Sequence, residues 1–131
     1  MRDILTRFGD NAGRIWSSLN SQGCLDKDEI IRTTKLNEED FFSGVGWLAR
    51  ENKISRVQDD CFKLDQTNLE PEIGFNAGKI YKILDIWGEA DFITIKRLSD
   101  LEENQIHAAL GWLAREEKIY LNENKKLNLK S

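Results

Sequence analysis

Few side chains in this sequence have the types and spacing that covalent chemistry needs. The single histidine, His107, has no nucleophile or carboxylate at a spacing that would make it a general base. The two cysteines, Cys24 and Cys61, form no CxxC pair and belong to no His/Cys cluster with metal-ligand spacing; they read as reduced, partly buried thiols. No glycine-rich phosphate loop, patterned carboxylate pair or nucleophile with its base occurs. The expectation is a protein without catalysis, with no cofactor, metal or small-molecule substrate. What remains is binding chemistry. Trp47 and Trp112 each precede an arginine by three residues, Arg50 and Arg115, and lysines gather near the end of the chain. An arginine beside an indole can stack on it, pair with a carboxylate or hold an anion.

Those tryptophans sit in a phrase that occurs twice, GWLARENKI and GWLAREEKI. Sliding the chain by 65 residues aligns far more than the phrase. Asn11-Ala12-Gly13 meets Asn76-Ala77-Gly78, Ile15 meets Ile80, Leu19 meets Leu84, Gly23 meets Gly88 and Leu64 meets Leu129, without a gap. The 131 residues are two copies of one unit, 1–65 and 66–131, with a linker at about 65–72 that holds the only proline, Pro71. His107 aligns with Phe42, Cys24 with Glu89 and Cys61 with Lys126, so none of these three residue types belongs to the shared pattern.

Each copy reads as three helices followed by a hairpin. Ala12, Ile15, Trp16 and Leu19 share one helical stripe, as do Ala77, Ile80, Tyr81 and Leu84, and a glycine follows each. Asp26 with Glu29 has the form of a capping box that starts a second helix, and Asp91 starts its counterpart. A short turn leads to a third helix, with Leu36/Phe41 and Leu101/Ile106 spaced as hydrophobic staples. Residues 53–57 and 61–64 then flank a turn, as do Tyr120-Leu121 and Leu127-Asn128-Leu129. The fold class is mainly α (α+β), two tandem winged helix-turn-helix units, each of three helices plus a β-hairpin wing.

The pattern Asn-Ala-Gly-x-Ile-(Trp/Tyr), the glycine ten residues beyond, and above all Gly-Trp-Leu-Ala-Arg-Glu-x-Lys-Ile resemble a bacterial and archaeal winged helix-turn-helix family of unknown function. The resemblance covers nearly all of both copies. It implies the fold and a binding role, and brings no catalytic residue. Typical members of that family look like single units, so the duplication is a departure.

The fold suggests DNA, but the charges do not. The third helices begin Asn37-Glu38-Glu39-Asp40 and Glu102-Glu103-Asn104-Gln105, where a groove reader would meet phosphates. The first copy holds ten Lys+Arg against twelve Asp+Glu, the second nine against eleven, and the net charge is −4. A protein partner in an adaptor role is therefore the first expectation. A DNA-binding transcriptional regulator is the alternative, with phosphate contacts at Lys96, Arg97, Lys118, Lys125, Lys126 and Lys130.

On the third helix, Phe41, Val45, Leu48 and Ala49 turn toward their own core. The other side carries Ser43, Gly46, Trp47 and Arg50, matched by Ala108, Gly111, Trp112 and Arg115: small residues beside a large indole, a surface suited to close packing. Either these faces, or one such face and an adjacent first-helix surface, form a pseudo-twofold contact between the copies, or each Trp folds back over its own hairpin. One further asymmetry stands out. Ile83, Ile86 and Trp87 replace Ser18, Ser21 and Gln22, which marks a partner surface unless they pack on the linker or Phe92-Ile93. No apolar run has signal-peptide or membrane-spanning length, and the expected location is the cytoplasm, with no membrane partner.

Overall fold

The structure, a computed structural model, describes residues 3–130. Each unit is mainly helical, with a small antiparallel sheet. The first comprises α1 (Ile4–Gln22), β1 (Leu25–Asp26), α2 (Lys27–Thr34), α3 (Glu38–Arg50), β2 (Ile54–Val57) and β3 (Cys61–Leu64). The second repeats this order as α4 (Phe75–Trp87), β4 (Glu89–Ala90), α5 (Phe92–Ser99), α6 (Glu103–Arg115), β5 (Ile119–Leu121) and β6 (Leu127–Leu129).

Local chemistry sets the helix ends. At α2, the Asp26 carboxylate accepts from the Glu29 N–H while Glu29 accepts from the Asp26 N–H, satisfying two amides that a helix start leaves orphaned. Asn37 accepts from Asp40 N–H at α3, and Asp91 from Thr94 N–H at α5. Leu36 and Phe41 are both buried, as are Leu101 and Ile106, consistent with staples that hold the turn against its helix. Phe41 then meets Phe62 of β3 edge to face, with ring centroids 5.4 Å apart, which seats the hairpin on α3.

The wings have one more strand than a hairpin. Leu25 and Asp26 pair with Phe62 and Cys61, giving a sheet in the order β1-β3-β2; β4 repeats this against β6. That register also corrects the reading of the cysteines as free thiols. Cys61, at the start of β3, stands opposite Asp26; Cys24, immediately before β1, lies two residues from that position with its Cα 5.7 Å from that of Cys61, and the two are joined as a disulfide.

The two cores are not self-contained. Leu69, which caps the single π-type turn (Glu70–Gly74) that precedes α4, and Ile73 within that turn are buried among Ile15, Phe41 and Val45 of the first unit. Reciprocally, Phe8 at the start of α1 is buried with Ile80, Ile106 and Leu110 of the second, with Ile4 and Leu5 packed alongside. Phe8 and Ile73 are 65 residues apart, as are Ile4 and Leu69, so the segment beginning each first helix completes the core of the opposite unit. The stretch around the linker is a packed element rather than a tether.

Candidate binding surfaces

The most extensive helix–helix contact in the molecule is α3 against α6. Small residues make it close. A methyl group on Gly46 would strike the main-chain carbonyl of Ala108, and one on Gly111 would strike that of Ser43. Ser43, Gly46, Ala108 and Gly111 are all buried in this seam. Ser43 is also held from within its own unit: Asn11 Nδ2 donates to Ser43 Oγ at 3.1 Å and to Asp40 Oδ1 at 3.2 Å, and the Ser43 hydroxyl donates to the Asp40 carbonyl at 3.1 Å.

At the seam's end each contact is made twice with the roles exchanged. Arg50 Nε donates to Glu116 Oε2 at 3.0 Å, and Arg115 Nε to Glu51 Oε2 at 2.9 Å. Arg50 also lies over the ring of Trp112, 5.8 Å from its centroid, and Arg115 over Trp47 at 5.7 Å. Lys53 and Lys118 add a second cation to Glu51 and Glu116. These arginines are thus engaged by carboxylate and indole.

A Cβ on Gly9 would sit 3.4 Å from Trp47 Cζ2, and one on Gly74 3.1 Å from Trp112 Cζ2, so each indole covers the first-helix segment of its own unit. Both rings are half-buried and pack against both cores.

Of the residues that open α3, Asp40 is largely covered, while Glu38 and Glu39 stay exposed. Arg7 binds Asp40 Oδ1 through Nη2 at 2.7 Å and Nε at 2.9 Å, and Asp40 and Glu39 line a cleft with His107, Phe92 and the second wing. His107 stacks on Phe92, with centroids 4.8 Å apart. Burial holds its imidazole below the ordinary histidine range, against the opposing pull of Glu39 3.9 Å away.

The basic residues proposed for nucleic acid divide into two sets. Lys96 pairs with Glu103 at 3.3 Å, Lys118 with Glu116 at 3.3 Å, and Lys126 with Glu89 at 3.9 Å. Arg97, Lys125 and Lys130 are exposed. On the opposite account, Ile86 and Trp87 are 78% and 59% exposed; Phe75, which sequence reasoning did not single out, is 68% exposed, and Ile93, considered there only as a packing partner, is 67% exposed. The signal for Phe75 was present: it stands where the first copy has Asp10.

Among the described residues no group of His, Cys, Asp and Glu could hold a metal ion, and no helix is long and apolar enough to cross a membrane. A family model described as a winged helix-turn-helix domain (DUF2582) matches residues 2–62 and again residues 65–130. The uncharacterized protein MJ1608 of Methanocaldococcus jannaschii is 41% identical over 63 residues, which span 45% of this chain and 89% of that protein. No solved structure matches the chain.

Proposed function

The chain belongs to the winged helix-turn-helix family DUF2582, and from that membership we propose that it is a non-enzymatic macromolecular binding protein, an adaptor whose two units pack as a pseudodimer and whose partner is a protein. Winged helix-turn-helix domains bind nucleic acid or protein, and the reading turns on which face of the third helix is free. The observation that carries it is the burial of Ser43, Gly46, Ala108 and Gly111 between α3 and α6. A groove-reading unit needs the outer face of that helix in the major groove. Here the face is occupied by the other copy.

The charge distribution supports the same reading. Glu38, Glu39 and Asp40 open α3, and three of the six proposed phosphate contacts are already paired with carboxylates. DNA binding in a regulatory role is the second reading, favoured by the exposed Lys125 and Lys130 of the second wing and Arg97 of α5. It would have to work through the wing and not through the third helix.

A titration of the whole protein against labelled random-sequence duplex DNA, at low and moderate salt, separates the two. The expected result is no binding at low salt. Roughly micromolar binding that weakens steeply with salt would put the regulator reading first.

A further inference from the structure

The duplication supplies an internal control for every surface residue, because both copies fold the same way. Phe75, Lys79, Lys82 and Ile86 follow one another at intervals of four, three and four, which aligns them along one side of α4. Ile83 and Trp87 lie on the flank nearer the core, and Asp85 on the other flank. At the corresponding positions α1 has Asp10, Arg14, Ser17 and Ser21, flanked by Ser18 and Gln22. The fold therefore does not require apolar residues there. Yet Phe75, Ile86 and Trp87 remain mostly exposed on α4, and Ile93 is mostly exposed on α5. Large apolar side chains left exposed where the twin unit carries polar ones suit a contact surface.

We propose that this stripe of α4 docks an amphipathic α-helix of a protein partner, apolar at both ends and acidic in the middle. This rests on the protein-partner reading above and names its surface. The stripe is apolar at Phe75 and Ile86, roughly 16 Å apart along the helix, and cationic between them. Lys79 donates to the Ser99 carbonyl at 3.1 Å, and neither it nor Lys82 makes an ion pair among the described residues. A helix laid along α4 with the complementary order would set carboxylates over both lysines. The apolar ends would supply affinity and the charges orientation.

The same charges argue against other occupants. A second copy of the chain, laid parallel or antiparallel on the stripe, would oppose lysine to lysine. An anionic bilayer would meet Asp85, an exposed carboxylate next to Ile86 in the chain.

The test uses the whole protein, isotope-labelled for NMR, and a synthetic helix with leucines at its ends and two glutamates between them at the spacing of Lys79 and Lys82. The expected result is saturable shifts at α4 amides, binding about tenfold weaker for a twin peptide with lysines for glutamates, and loss of binding in Ile86→Glu and in Lys82→Glu. Both substitutions are on exposed positions, and an unchanged Tm verifies that they fold. No saturable shift, equal binding of the twin, or shifts confined to other elements would overturn the proposal. So would self-association, or adhesion to phosphatidylserine vesicles, that Ile86→Glu abolishes. DNA binding in the titration above would instead overturn the protein-partner reading whatever α4 does, whereas peptide shifts at the wing or seam overturn only this docking site.

Discussion

Gly46 lies against the main-chain carbonyl of Ala108 so closely that no β-carbon fits between them, and Gly111 stands in the same relation to Ser43. Main-chain atoms cannot step aside as a flexible side chain can. Gly46→Ala and Gly111→Ala should each cost about 2–3 kcal/mol or more, measured from urea unfolding, because α3 and α6 must separate. Gly13→Ala and Gly78→Ala are the controls. Nothing lies within 4 Å of a Cβ at either position, so alanine there should stabilise by about 0.5–1 kcal/mol through helix propensity.

Core exchange makes each unit depend on the other's first-helix segment. Phe8→Ala and Ile73→Ala should each cost about 3 kcal/mol, and hydrogen exchange should show the loss of protection in the opposite unit, at α6 for Phe8 and at α3 for Ile73. A chain cut to residues 1–65 lacks Leu69 and Ile73. Sedimentation should find it unfolded, or paired with a second copy that supplies the equivalent Ile4 and Phe8.

The reciprocal Arg50–Glu116 and Arg115–Glu51 pairs lie at an exposed rim, where solvent screens charge. A double-mutant cycle on either pair should give a coupling of about 0.5–1 kcal/mol that shrinks in high salt. The pairs orient the seam; close packing of the glycines holds it.

His107 makes stability depend on pH. Burial lowers its pKa in the folded protein from the ordinary 6.5, opposed by Glu39, Glu103 and Asp40 and aided by Arg7. Above 6.5 the imidazole is neutral in both states and its contribution is fully present. As pH falls below that value the unfolded chain takes up a proton that the folded one resists, so stability declines toward the depressed folded pKa. His107→Phe, which copies Phe42 at the equivalent position, should flatten the unfolding free energy measured between about pH 7 and 5 relative to the parent.

Ser18 is buried and its hydroxyl has no hydrogen-bond partner among the described residues, at the position where the second unit has Ile83. Ser18→Ala removes the desolvated hydroxyl and should stabilise by about 1 kcal/mol. A lower Tm would mean that the hydroxyl finds a partner in solution.

Much of this architecture is determined by the sequence on its own. The repeat fixes the offset, the 3.6-residue spacing of Ala12, Ile15 and Leu19 picks the buried side of α1, and Asp26 with Glu29 starts α2. These signals are local, since each depends on neighbours within a turn or two of helix. Even the small residues of the seam were legible as a close-packing face, because a helix has no other use for glycine beside a tryptophan on its outer side. Whether they would pack against the other copy or serve their own unit stayed open, and only tertiary structure decided it. Periodicity marks a face as apolar without saying which surface covers it. So nothing in Phe8 or Ile73 revealed that each completes the opposite core, and nothing in Trp47 chose Gly9 over the hairpin. Strands of two residues, β1 and β4, are too short to carry an alternating pattern. The Cys24–Cys61 pairing depends on a register set between segments 37 residues apart, which no local spacing contains.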